Sequence, residues 1–264
     1  MKSARIRISK DQRQAEIVKT LTTSTGIRMP LLAKKFNVTV ETIRRDLDEL
    51  AQDGHINRTY GGGVATQLVE AELTKRYSLL IQERQAIAIV AADSVSDRDT
   101  LMMGGGATTW HVAKELARRR SHLTVITHAI DIAVALSENA THTVLFLPGQ
   151  YSAEERLLYG TETIAYLKNY SANKAILGAS GVSTMGCSNA EVNAGHVYRT
   201  MAMHCTEVLV VADHRKFGAN SLFNYLHWAD NVTLLSNQEP DDSLKRALSK
   251  YSARSLTAPT VAKI

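Results

Sequence analysis

The sequence is short of cysteine, of long apolar runs and of any leader-like start, and each shortage removes a class of protein. Two cysteines in 264 residues, Cys187 and Cys205, make no disulfide framework and fit a reduced, cytoplasmic chain. The opening MKSARIRISKDQRQAEIVK is basic but has no apolar centre, so no secretory signal is expected. AIAIVAA is among the longest apolar runs, well below the roughly 20 residues a membrane helix needs, and no membrane partner is expected. A composition of 44% hydrophobic and 22% charged residues is that of an ordinary globular protein, long enough for one large domain or two smaller ones.

Charge is unevenly placed. The net charge is +5, and residues 1–66 hold 12 Lys or Arg against 7 Asp or Glu, so the whole excess lies in the first quarter. The remaining 198 residues balance. A small basic module beside a neutral large one points to a polyanion as the first module's partner.

Apolar spacing gives that module its elements. Ala15, Ile17, Val18 and Leu21 form a helical stripe, Thr22 to Gly26 is turn-like, and Pro30 opens a second short helix, PLLAKKF. Thr39 is placed to cap a third helix, VETIRRDLDEL, in which Ile43, Leu47 and Leu50 make one buried face. Glu41, Thr42, Arg44, Arg45 and Asp48 are left to the other faces. Gly54 is placed to end that helix; HINRTY then reads as a strand and GGG as a tight reversal. Helix, turn and basic helix make a helix-turn-helix, with Arg58 and Tyr60 on a wing beside the DNA backbone.

The stretch LLAKKFNVTVETIRRDLDELAQDGHINRTYGGGV resembles the N-terminal signature of the DeoR/GlpR family of bacterial transcriptional regulators, whose winged helix-turn-helix carries TIRRDL followed by a Gly-Gly wing. The similarity runs to about residue 237. It implies that residues 39–47 supply the recognition helix. Thr39, Glu41, Thr42, Arg44, Arg45, Arg58, Tyr60, Gly61 and Gly62 are then the residues on double-stranded operator DNA. Arg44 and Arg45 suit phosphate or guanine, and Thr42 suits a base edge.

Residues 67–83 read as a helical or extended linker. From residue 84 to 251, helices and strands alternate, which argues for a parallel sheet with helices on both faces. The strand TLMMG runs into Gly104-Gly105-Gly106 and a helix, a place for a phosphate. Tyr159, Tyr166 and Tyr170 read as packing at helical spacing, and 252–264 as a mobile tail. Strands ending in small or polar residues would meet in one cleft, since open sheets bind ligands at the carboxyl ends of their strands.

This half resembles the family's sensor domain, whose fold is like that of ribose-5-phosphate isomerase and which commonly takes phosphorylated sugars. The resemblance implies an effector site of Gly104, Gly105, Gly106, Ala107, Thr108, Thr109, His128, Gly149, Gln150, Gly178, Ser180, Gly181, Asp213, Arg215 and Lys216. Residues 105–109 would cradle a phosphate. Lys216 would pair with an anion, with Arg215 as a second cation, and Asp213 would hold a sugar hydroxyl or orient Lys216. The chain departs from the family at Gly104, where members often have Asp, at Ala107, where they have Thr, and at His128, where many have Asn. A ligand with fewer hydroxyl contacts, or with more negative charge, would suit a site with His128 and Lys216, so a sugar-acid phosphate is as reasonable an effector as a plain sugar phosphate.

Three other readings compete. A sugar-phosphate isomerase would use Glu191 or Asp213 as its base, but the basic N-terminal module has no purpose in such an enzyme. Dinucleotide binding lacks the G-x-G-x-x-G spacing, and a metal lacks ligand spacing around Cys187, His196, His204 and Cys205. Neither a cofactor nor a metal is expected. The expectation is a cytoplasmic α/β regulator, a winged helix-turn-helix ahead of a parallel-sheet sensor domain, acting as a homodimer or higher homo-oligomer.

Overall fold

A computed structural model describes residues 9–23, 27–52, 56–59, 62–65 and 72–259. The chain divides between Glu70 and Ala71 into two compact units.

The first unit contains α1 (Lys10–Thr23), β1 (Ile27–Arg28), α2 (Met29–Phe36), α3 (Val40–Gln52), β2 (Ile56–Thr59) and β3 (Gly62–Ala65). Ile17, Leu32, Ala33, Ile43, Leu47 and Leu50 form its core, so the stripe read from the sequence is the face that α3 buries. β3 lies between β1 and β2, antiparallel to both, with Thr59 opposite Gly62 and Arg28 opposite the same glycine. The wing is therefore three-stranded; β1 is too short to leave a periodic signal.

The second unit opens with α4 (Leu73–Ser78) and α5 (Ile81–Asp93). Next come β4 (Thr100–Met103), α6 (Ala107–Arg119), β5 (Thr124–Thr127), α7 (Ile130–Ser137) and β6 (Thr143–Phe146). A hairpin of β7 (Gln150–Ser152) and β8 (Leu157–Tyr159) leads to α8 (Thr161–Leu167) and β9 (Ala172–Gly178). β10 (Gly181–Ser183), β11 (Gly186–Asn189), α9 (Val192–Met203), β12 (Cys205–Val211), β13 (Phe223–Leu226), β14 (Val232–Ser236), α10 (Asp242–Lys250) and β15 (Arg254–Thr257) complete it.

Seven strands form one parallel sheet in the order β15-β14-β12-β9-β4-β5-β6. Alternate residues feed two cores. Leu101, Met103, Val125 and Val211 meet α5, α6 and α7 through Ile87, Val112, Leu116 and Ile132. Met102, Ile126, Val208 and Val210 meet α8, α9 and α10 through Leu167, Val197, Met201 and Leu248. Burial on both faces explains why these strands read as continuous apolar runs.

Three expectations need correction. The segment from 252 onward is not a structureless tail through residue 259, because Arg254–Thr257 pair with β14 and Ala258 is buried. Sheet pairing, not periodicity, orders this segment, and its strand residues are exposed. The latter part of the 67–83 linker belongs to the sensor unit: Leu73 and Arg76 of α4 are buried there. Tyr159 lies in β8, apart from the helical spacing expected of it, whereas Tyr166 and Tyr170 do pack, with ring centroids 5.5 Å apart.

Candidate functional site

On α3 the hydroxyl of Thr39 accepts from the Thr42 N–H at 3.1 Å and sets the helix start. Asp46 falls on the same stripe as Ile43, Leu47 and Leu50 and is buried with them. Its carboxylate accepts from Arg13 Nε and Nη2 on α1, at 2.6 and 3.0 Å. That pair fixes α3 against α1 and leaves Arg44 and Arg45 outside. Arg44 donates to both Glu41 oxygens at 2.8 and 2.9 Å, and Arg45 approaches Glu41 at 3.5 Å. The Arg44 hydrogen bond lowers the Glu41 carboxyl from its usual range.

The structure thus gathers Thr39, Glu41, Thr42, Arg44 and Arg45 at the N-terminal half of one helix, all at least partly exposed. Arg58 and Gly62 sit in β2 and β3. Tyr60, Gly61 and Gly54 lie outside the described residues. Arg13 was missed from sequence, although an acid at position 46 of a buried stripe was the signal that a partner was needed.

In the second unit, β4, β5 and β6 run one way across the sheet and β9, β12, β14 and β15 the other. The strand order reverses between β4 and β9, which is where an open parallel sheet leaves a crevice. Gly104-Gly105-Gly106 leaves β4 at that point. Gly106 has φ of +116°, a conformation open to glycine, and α6 starts behind it with no side-chain cap. Its carbonyl takes Thr109 Oγ1 at 2.9 Å and the Trp110 N–H at 3.0 Å. The first-turn N–H groups of a 13-residue helix therefore face the crevice end uncapped by any side chain.

Gly104 has a different reason. A Cβ there would lie 2.7 Å from the Tyr198 ring. Tyr198 donates its hydroxyl to the Gly105 carbonyl at 2.7 Å. The tyrosine occupies the space that a side chain at position 104 would need. Gly178, ending β9, offers its carbonyl to Tyr225 Oη at 2.7 Å; a Cβ on it would reach the Gly105 carbonyl at 3.6 Å. The β4 and β9 ends are thus side by side.

Asp213 follows β12 and has no exposed surface. Arg84 Nη2 donates to it at 3.2 Å, as do the Arg215 N–H at 3.2 Å and Arg215 Nε at 3.4 Å. Burial pushes its carboxyl up, but the charges of Lys216, Arg84 and Arg215 outweigh that and hold it below the usual range. Lys216 also returns its N–H to the Asp213 carbonyl at 3.0 Å. Both oxygens of Asp213 are thus engaged by arginine, one by Arg84 and the other by Arg215. Arg84 was missed, because its partner is 129 residues away. An arginine opening an alanine-rich buried helix was the available sign.

His128 needs the firmest correction. It is wholly buried, its Nδ1 lies 2.6 Å from the Leu158 carbonyl, and burial pushes its pKa down to about 4. It is neutral near pH 7 and supplies no charge to an anion. Lys216 and Arg215, and not His128, are the positive charges at this end of the sheet. Gly149 and Gln150 sit at the start of the β7–β8 hairpin, beyond the edge strand β6; Gly149 is packed on Thr163 and Tyr159. Leu157 of this hairpin lies over Gly105. Ser180 and Gly181 build the turn into β10: Ser180 Oγ accepts the Ala190 N–H at 3.1 Å, and Gly181 packs against Ala219 and Ser188. Ala107, Thr108 and Thr109 are buried at the head of α6. Among the described residues no three His, Cys, Asp or Glu side chains cluster as metal ligands would, and no helix is long and apolar enough to cross a membrane.

Comparison with known proteins agrees with this organisation. Residues 13–67 match the DeoR-like helix-turn-helix domain and residues 80–238 the DeoR C terminal sensor domain. The transcriptional repressor AccR of Agrobacterium fabrum is 33% identical over 81% of this chain and 84% of its own. The HTH-type transcriptional repressor GlcR of Bacillus subtilis is 28% identical over 88% and 90%. A solved ribose-5-phosphate isomerase in complex with phospho-erythronic acid aligns over 51% of this chain and 52% of its own. Its TM-score is 0.39 and its identity 15%. With both of its domains matched in order, the chain belongs to the DeoR family of DNA-binding transcriptional regulators.

Proposed function

We propose that this repressor-family chain senses a phosphorylated sugar or sugar-acid at the crevice between β4 and β9, and that the ligand alters the grip of α3 on operator DNA. The observation that carries the reading is the uncapped start of α6 behind Gly106 at the reversal of the sheet. Backbone N–H groups of residues 105–109 suit the phosphate, and the helix dipole favours its charge. Lys216 and Arg215, arranged around Asp213, suit a second anionic or hydroxyl-bearing end.

The DNA side rests on α3, with Arg44 and Arg45 exposed beside Thr42. A homo-oligomer would pair two such helices on two half-sites. Effector and DNA are linked only if the effector prefers one state, and a coupling of about 1–3 kcal/mol already changes DNA affinity several-fold.

The test is fluorescence anisotropy on the upstream DNA of the protein's own gene, at fixed salt, with sugar phosphates and sugar-acid phosphates titrated into the complex. One of them is expected to shift DNA affinity in the wild type. Lys216→Ala is expected to bind the DNA and to lose the shift. A Lys216→Ala protein that responds at wild-type concentrations places the ligand elsewhere.

A further inference from the structure

α4 is the first element of the sensor unit, directly after the segment that joins it to the DNA-binding unit. Six residues are too few to hold a helix by themselves. Contacts of three polar side chains hold it. Arg76 Nη2 pairs with Glu155 at 2.5 and 2.6 Å, in the turn of the β7–β8 hairpin. Tyr77 donates to Asp131 at 2.6 Å and packs against Trp110 of α6 with its ring tilted by 55°, centroids 4.8 Å apart. The third contact is Arg84, which donates through Nη1 to the carbonyls of Arg76 and Leu79, the latter at 2.8 Å.

The other arm of the same guanidinium, Nη2, is on Asp213. The group is planar and rigid, so its two arms cannot move independently. Between the carbonyls it grips and its own helix stands Leu80, at φ 51° and ψ 44°. Residues with a side chain adopt that left-handed conformation at a cost, and surrounding contacts must enforce it. Arg84 bonds to the carbonyl just before this residue, so it holds a strained joint between α4 and α5.

We propose that Arg84 is the positioning residue that links the Asp213 cation cluster of the crevice to α4, and through α4 to the segment leading to the DNA-binding unit. An anion that engages Arg215 and Lys216 competes with Asp213 for them. The buried carboxylate then leans on Arg84, and the rigid fork shifts its hold on the two carbonyls and on the Leu80 joint. The proposal rests on the sensor reading for the identity of the occupant; the Asp213–Arg84–α4 link stands apart from it.

Amide hydrogen exchange on the full chain tests the link, read on peptides covering 73–80 and 104–110. Arg84→Lys keeps the charge but cannot span both arms. It is expected to raise exchange in 73–80 about tenfold. Asp213→Asn, remote from α4, is expected to do the same, and the double variant to exchange no faster than the faster single, because the pair acts as one unit. If Asp213→Asn does not fold, Arg215→Gln replaces it: it should change 73–80 in the wild-type background and not in Arg84→Lys. Wild-type exchange in Arg84→Lys overturns the proposal. So does an α4 insensitive to Asp213→Asn or its substitute, which would make Arg84 a simple cap, and so do effects that multiply in the double variant. Inorganic phosphate is then added. Protection of 104–110 in both wild type and Arg84→Lys, with a change in 73–80 in the wild type alone, supports the link under ligand. No protection of 104–110 overturns the crevice as a phosphate site, while the variant cycle still decides the role of Arg84.

Discussion

Each unit holds a cluster of arginines around one carboxylate, and the two clusters are built oppositely. On α3, Arg44 and Arg45 share Glu41 with side chains 54%, 77% and 50% exposed. In the sensor unit, Arg84 meets Asp213 with side chains 3% and 0% exposed. Exposed pairs add little to stability because water and salt screen them. Their value lies in being exchangeable: a DNA phosphate can take Arg44 from Glu41 at small cost. A buried pair has given up hydration on both sides, and removing one member leaves an unmet charge. The first cluster can be taken apart at small cost, as a reader of DNA requires, whereas the buried Arg84–Asp213 pair at the centre of the second resists separation.

The largest difference between the units is expected in their response to acid. Free imidazole titrates near 6.5, whereas buried His128 resists protonation to about 4. Between these values the unfolded chain takes up a proton that the folded one refuses. The stability from neutral His128 is complete above pH 6.5 and is lost as pH falls toward 4, about 3 kcal/mol in all. His111, also lowered to about 4, acts in the same direction. The first unit's one histidine, His55, lies outside the described residues. Urea unfolding followed from pH 7 to 5 is expected to show the sensor transition weakening more than the other. His128→Asn should flatten the sensor slope, and an unchanged slope would remove His128 from the account.

A smaller effect sharpens the packing side of the comparison. The Cβ of Gly104→Ala would meet Tyr198 Cε1 and Cζ at 2.7 Å. The ring is pinned by its bond to the Gly105 carbonyl and by edge contacts with His128 and Tyr225, at 5.7 and 5.4 Å. Overpacking of this kind costs about 1–3 kcal/mol. Thermal unfolding is the measurement. Tyr198→Phe in the same chain is expected to give no rescue, because ring carbons rather than the hydroxyl make the clash; a full rescue would mean the hydroxyl's bond is what resists.

These particulars mark what could be read in advance. The α3 face followed from Ile43, Leu47 and Leu50, and the sheet from apolar runs between helices, because both signals are local and repetitive. Asp46 was legible too, as an acid on an apolar stripe, and was passed over. Arg84 with Asp213 was not legible, since nothing local ties residues 129 apart. β15 was missed because its residues are exposed and carry no apolar pattern. The charge state of His128 depends on depth in the fold, which its neighbours in sequence do not report. Of the crevice, the glycines could be found from sequence, but the reasons for them could not: Gly106 is set by backbone conformation and Gly104 by a tyrosine from α9.

The smallest effect on stability is expected at Arg44, and there the comparison meets function. Arg44→Ala removes an exposed pair with Glu41, so the unfolding temperature should not move measurably. Operator affinity should fall about tenfold, the order of one good charged contact. How it falls tells which contact is lost. If Arg44 holds a phosphate, affinity drops alike on operator and unrelated DNA, and the salt slope lessens by about 1. If it reads a guanine, the loss is confined to the operator and one base position becomes permissive. Arg45, more exposed and farther from Glu41, costs less to draw away and is the better candidate for the phosphate, so Arg45→Ala should show the first pattern where Arg44→Ala shows the second. Identical patterns from both variants would mean that Glu41 does not set them apart, and that the α3 cluster is a uniform basic patch rather than an ordered pair.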